Sequence, residues 1–219
     1  MRIAGYNPNS FVDFPGNIAA IVFVGGCNLR CWYCHNAEIL DTKEFLSDEA
    51  ILARIKENFL LDGVVISGGE PTLQPDLFDF AEKLRDIGMQ VKLDTNGMRP
   101  DVVKEGVERG LFDYVAMDVK APFEKYFKVS PTRTADPAKL RETAAFLMGQ
   151  DKIPYEFRMT VVPQFDIEDI TEAAKEIAGA RIFYLQPYVD HGMGFKSPTK
   201  EFLNAAKEAC CAYVNTEVR

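Results

Sequence analysis

Short apolar runs alternate six times with longer amphipathic segments, and this pattern constrains the fold of the 219-residue chain more than any other feature. The runs 18–24 (IAAIVFV), 64–67 (VVIS), 91–94 (VKLD), 114–118 (YVAMD), 157–162 (FRMTVV) and 182–186 (IFYLQ) read as buried strands. Segments of helical period follow at about 48–59, 77–87, 101–109, 136–148, 168–177 and 198–214. Ser47, Asp76 and Asp136 (the last before Pro137) are the predicted N-caps of the first, second and fourth helices. Strands alternating with helices imply an α/β fold with a mainly parallel sheet and right-handed crossovers. Six units fall short of a closed eight-unit barrel, which needs ~250 residues. Periodicity alone leaves both an open partial barrel and a flat doubly wound sheet available. There is no internal repeat, low-complexity tract or linker rich in Pro, Gly or Ser, so one domain over 1–219 is expected.

The polar and glycine-rich clusters all fall just after the predicted strands. They are 25–34, 68–71 (GGEP), 94–97 (DTNG), 118–120 (DVK) and 186–190. In parallel α/β architectures the carboxyl ends of the strands form the ligand face. Five clusters are therefore expected to meet on one rim.

Cys27, Cys31 and Cys34 supply three thiols from one of those loops. Hydrophobic residues make up 47% of the chain and charged residues 26%, a globular composition without any apolar run near the ~20 residues of a membrane span. The net charge of −8 argues against a nucleic-acid partner. The start, Met1 to Asn9, lacks a basic segment followed by an apolar core, so a cytoplasmic protein with reduced thiols is expected. In that setting clustered cysteines point to metal or catalysis. Soft thiolates suit zinc or an iron–sulfur cluster. A structural zinc site needs a fourth ligand, from His35, His191 or the pair Cys210 and Cys211. A four-iron cluster held by three cysteines leaves one iron open, which suits catalysis better than electron carriage. The segment EFLNAAKEACCAYV reads as an amphipathic helix burying Phe202, Leu203, Ala206, Cys210 and Tyr213, with Cys210 a small hydrophobe.

CNLRCWYC, followed by a strand ending in Gly-Gly-Glu, resembles the radical S-adenosylmethionine (SAM) superfamily. The resemblance implies a partial (β/α)6 barrel, with Cys27, Cys31 and Cys34 holding one 4Fe–4S cluster whose fourth iron is chelated by SAM. It also implies that Tyr33 lies against the adenine, that His35 and Asn36 brace the loop, and that Gly68, Gly69 and Glu70 meet the cofactor ammonium. The segments LDTNG and MDVK resemble those of glycyl-radical-enzyme activases. They assign cofactor contacts to Asp94, Thr95, Asp118 and Lys120, together with a monovalent cation near Asp94 and Asp118. Arg158, inside an apolar run where a guanidinium demands a partner, matches the activases' arginine near the cofactor.

SFVDFPG (10–16), Cys34-His35-Asn36 and GGEPTLQ (68–74) look most like the activating proteins of anaerobic ribonucleoside-triphosphate reductase. The pyruvate formate-lyase activating enzyme is the next resemblance. By it, a reduced flavodoxin or ferredoxin supplies an electron, SAM is cleaved to a 5′-deoxyadenosyl radical, and a glycyl radical forms on the partner reductase. A radical enzyme acting on a small molecule and a zinc-stabilised interaction module are the alternatives.

Overall fold

The computed structural model describes residues 1–219. Fourteen elements follow one another: β1 (Ile3–Ser10), β2 (Ala19–Val24), α1 (Asp48–Glu57), β3 (Gly63–Gly68), α2 (Leu77–Asp86), β4 (Gln90–Thr95), α3 (Pro100–Glu108), β5 (Tyr114–Asp118), α4 (Pro137–Gly149), β6 (Tyr155–Val161), α5 (Ile167–Glu176), β7 (Phe183–Pro187), α6 (Lys200–Cys210) and β8 (Thr216–Val218). All eight strands join one sheet in chain order. β1 runs antiparallel to β2, and every later pair is parallel. The six predicted β/α units are present, arranged as a partial barrel of the expected α/β class. No helix is long and apolar enough to cross a membrane.

Side chains alternate across each strand, and the two faces differ sharply. One face carries Val22, Val24, Val64, Ile66, Val91, Leu93, Val115, Met117, Phe157 and Leu185, which pack under the helices in a core of 49 buried residues. The concave face begins with a small apolar plug of Phe14, Ala19, Ile21 and Val65. Towards the carboxyl ends of the strands it turns polar, through Ser67, Lys92, Asp94, Asp118, Glu156 and Arg158.

Three sequence expectations are corrected. Strands β1 and β8 were not predicted: β1 reads IAGYNPNS at a sheet edge, with only Ile3 and Ser10 buried, and β8 has only three residues, so neither shows an apolar run. Ser47 and Asp136 cap their helices through Ala50 N–H and Ala138 N–H, but Asp76 makes no capping bond. Its carboxylate is taken instead by the Met1 ammonium at 2.6 Å, which also binds Asp48 at 2.6 Å. Helix α6 ends at Cys210, so Tyr213 lies in the turn beyond it and is exposed, while Leu203, Ala206 and Cys210 are buried as expected.

Phe157 is fully buried, whereas Phe59 is 92% exposed. Phe157→Ala should cost about 3–5 kcal/mol in urea unfolding, against less than about 0.5 kcal/mol for Phe59→Ala.

Candidate active site

The cysteine loop leaves β2 at Gly25 and is tied to its neighbours by main-chain and amide bonds. Gly69 N–H donates to Val24 O at 2.8 Å, Glu70 N–H to Gly26 O at 2.9 Å, and Gln74 Nε2 to Gly25 O at 2.9 Å. This contact explains the glycines after β3. A Cβ on Gly69 would lie 2.0 Å from Gly26 O, and one on Gly68, where φ is +108°, 2.4 Å from Val24 N. Gly68 and Gly69 therefore let two loops approach each other, as well as bordering the cavity. Asn36 Nδ2 donates to Gly68 O at 3.1 Å and closes the far end of the same junction.

Glu70 is the knot beneath this junction. Its carboxylate is 1% exposed and accepts from Thr72 N–H and Thr72 Oγ1, from Thr95 Oγ1 at 2.8 Å, and from Asn96 N–H at 2.7 Å. Burial raises the Glu70 carboxyl above its ordinary value despite these donors. Its side chain is thus committed to joining the β3 and β4 loops, and so is the Thr95 hydroxyl. Asn96, not singled out by the sequence, reaches Asn28 Oδ1 at 2.8 Å and Cys27 Sγ at 3.8 Å.

The three thiols border one cavity. Burial pushes the Cys27 thiol up to about 11 and raises Cys31 as well, so these two are neutral thiols until a metal takes their protons. No three Cys, His, Asp or Glu side chains converge on a single point as ligands of one ion; a cluster, which offers each thiolate its own iron, requires no such convergence. Tyr33 packs edge-on against Trp32, and its buried hydroxyl has no hydrogen-bond partner. Trp32 in turn packs on Tyr188 and Phe195. His35 Nδ1 lies 2.6 Å from His191 Nε2 across 156 residues of chain, a pairing that no local signal could show.

On the opposite wall, Arg158 Nε reaches Asp118 Oδ1 at 2.9 Å and Nη1 reaches Asp94 Oδ2 at 3.3 Å. Lys120 Nζ lies 3.2 Å from Asp118 Oδ2, and Lys92 Nζ 2.6 Å from Asp94 Oδ1. Burial works against the charge on Asp118, yet Arg158 and Lys120 outweigh it and hold the carboxyl at about 2. Asp94 is lowered by the same balance, with Arg158 and Lys92 as its opposing charges. Burial likewise opposes the Lys120 ammonium, and Asp118 keeps its pKa well above the ordinary lysine value.

These walls enclose about 360 Å³, within the range of small-molecule sites. Cys27, Cys31, Tyr33, Cys34, His35, Asn36, Gly68, Gly69, Glu70, Asp94, Thr95, Asp118 and Lys120 all line it. Arg158 does not. It lies behind the two carboxylates it bridges, so it orients them and does not face the cavity. Asn96 and Tyr188 line it as members of the 94–97 and 186–190 clusters expected on the rim, and Ser67, Thr160 and His191 line it without having been assigned to it from sequence.

A family model described as the radical SAM superfamily matches residues 21–177. A protein of Methanocaldococcus jannaschii named as a glycyl-radical enzyme activating enzyme is 35% identical over 192 residues, covering 85% of this chain and 79% of its own. The pyruvate formate-lyase 1-activating enzyme of Escherichia coli is 29% identical, covering 94% of this chain and 93% of its own. A solved structure of TYW1 with a lysine–pyruvate adduct bound superposes with a TM-score of 0.67 at 16% identity, covering 89% of this chain and 73% of that one, a likeness of fold alone. The chain belongs to the radical SAM superfamily. Within it, the similarity in sequence is to enzymes that activate glycyl-radical enzymes.

Membership implies one 4Fe–4S cluster and SAM, and the residues present fit both. Three thiols on one loop face a cavity that offers the Lys120 ammonium to a carboxylate and the backbone of Gly68 and Gly69 to an ammonium, the two halves of an amino-acid head group. The orphaned Tyr33 hydroxyl marks the same cavity as built for a ligand.

Two measurements check this geometry. Glu70→Gln replaces a four-bond acceptor by a group with one acceptor oxygen, so it should cost about 2–3 kcal/mol in urea unfolding and weaken cluster retention. Asp118 has a depressed folded pKa, so the stability it contributes is present above its unfolded value of 3.8 and is lost as pH falls towards about 2. Across that window Asp118→Asn should lose less stability than the unaltered protein, by on the order of 1 kcal/mol for a partly exposed group.

Proposed function

We propose that this chain is a SAM-dependent activase that installs a glycyl radical on a partner enzyme, with anaerobic ribonucleoside-triphosphate reductase as the first partner to test. The observation that carries the reading is the convergence of Cys27, Cys31 and Cys34 with Asp94, Asp118 and Lys120 on one cavity open to the carboxyl-end rim. Full-length similarity to the Escherichia coli pyruvate formate-lyase 1-activating enzyme supports the reaction class. The runs SFVDFPG and GGEPTLQ support the choice of reductase over lyase.

When bound, the cluster and SAM supply the electron transfer and hydrogen-atom abstraction that side chains cannot. The protein's own part is placement. Cys27, Cys31 and Cys34 hold the cluster, and the backbone of Gly68, Gly69 and Glu70 receives the cofactor ammonium, since the Glu70 carboxylate is already saturated. Lys120 meets the cofactor carboxylate, Asp94 and Asp118 offer their remaining lone pairs to its ribose hydroxyls, and Tyr33 lies against the adenine. His35 and Asn36 hold the cysteine loop against its neighbours. Arg158 fixes the orientation of both aspartates. A reduced flavodoxin or ferredoxin is the electron donor this scheme requires.

Anaerobic reconstitution should give about four irons per chain and release of 5′-deoxyadenosine on reduction. With the reductase present, a glycyl-radical electron paramagnetic resonance signal should appear on it and not on pyruvate formate-lyase. Any single Cys→Ser change among Cys27, Cys31 and Cys34 should abolish both. A signal on the lyase alone would overturn the choice of partner, and failure to release 5′-deoxyadenosine would overturn the reaction class.

A further inference from the structure

The resemblance read from the sequence implies a monovalent cation beside Asp94 and Asp118, and the residues present do not fit one. A hard cation needs several oxygens converging on it at once, and here every carboxylate oxygen already has a donor, which leaves at most one lone pair on each, enough for a single hydrogen-bond donor such as a hydroxyl. Asp94 Oδ1 accepts from Lys92 Nζ at 2.6 Å, and Oδ2 from Ser67 Oγ at 3.1 Å and Arg158 Nη1 at 3.3 Å. Asp118 Oδ1 accepts from Arg158 Nε at 2.9 Å, and Oδ2 from Lys120 Nζ at 3.2 Å. An added ion would have to displace an ammonium or guanidinium from within contact distance. In a partly dry site that repulsion is poorly screened.

The charge balance leads to the same conclusion. Asp94, Asp118 and Glu156 are matched by Lys92, Lys120 and Arg158, and Glu156 also receives Tyr114 Oη at 2.9 Å and Arg219 Nη1 at 3.3 Å. Among these strand charges no surplus negative charge remains for an ion to neutralise. Lys92 stands out among these cations. It is 0% exposed, lies outside the cavity lining, and has Asp94 as its one ion-pair partner, with the Tyr114 ring 5.8 Å away. A lysine buried so completely is costly unless its charge is used. From the concave face of β4, two residues before Asp94, its ammonium reaches the carboxylate from outside the cavity lining.

We propose that Lys92 is a built-in cation, its ammonium holding Asp94 in place where a bound monovalent ion would otherwise do so. This chain then binds SAM without needing such an ion. Lys92 is a positioning residue, acting through Asp94. The inference rests on SAM binding at this site, and not on which partner enzyme is activated.

The test measures SAM binding by the anaerobically reconstituted chain, and the melting temperature of the same protein, in tetramethylammonium, sodium and potassium chloride at one ionic strength. For the unaltered protein both should be the same in all three salts. Lys92→Met should bind SAM at least about fivefold more weakly in tetramethylammonium than in potassium, a typical lower size for coupling between two ligands, and potassium should raise its melting temperature. Lys92→Arg, which keeps the charge, should stay indifferent to the salt. A potassium requirement of that size in the unaltered protein would overturn the proposal, even if Lys92→Met does not fold. So would a folded Lys92→Met protein that ignores potassium. Loss of SAM binding by the unaltered protein in every salt would count instead against the cofactor assignment.

Discussion

A guanidinium buried between two carboxylates sets the terms for everything around it. Arg158 is only 12% exposed, and it bridges Asp94 of β4 and Asp118 of β5 from its place on β6. Such a charge is tolerable inside a protein only with partners in good geometry. The strand register supplies one of them directly, because Asp118 pairs with Arg158 across the β5–β6 ladder. Moving either strand by one residue would turn a charge into the apolar layer under the helices and bring a Val, Phe or Met into the barrel. The polar layer thereby fixes register as well as charge.

The apolar plug below this layer and the cavity above it follow from the same alternation. Phe14, Ile21 and Val65 fill the base of the concave face, outside the cavity lining. The strands then end in loops that lean on one another through Gly69, Glu70 and Asn36. The cysteine loop is held by the protein's own bonds: it hangs from Gly25 and Gly26 and is buttressed by Asn96.

Much of this was legible in the sequence, and the failures have identifiable physical causes. The six parallel strands showed themselves because burial on both sides makes each a nearly continuous apolar run. An edge strand containing Pro8 and three Asn or Gly positions gives no such signal, so β1 was missed. Asp76 looked like a cap, and a partner 75 residues earlier took its carboxylate. The three cysteines and the carboxylate clusters were readable because each is compact in sequence. The His35–His191 contact and the bonds from Thr95 and Asn96 to Glu70 were not, since they join separate loops. One signal was present and went unused. Lys92 and Asp94, Asp118 and Lys120, and Glu156 and Arg158 are each opposite charges two residues apart in or beside an apolar strand. That spacing places both members of a pair on one face, so three successive strands announce a polar barrel interior.

The three-thiol seat implies a cluster in which one iron differs from the other three, and iron-57 Mössbauer spectroscopy reads that difference directly. On the anaerobically reconstituted protein, about a quarter of the iron signal should shift when SAM is added, while the remainder stays as thiolate-bound cluster iron. A spectrum in which all irons are equivalent and indifferent to SAM, or a protein that takes up zinc and no iron, would contradict the assignment of Cys27, Cys31 and Cys34 as the ligands of an open-sited catalytic cluster.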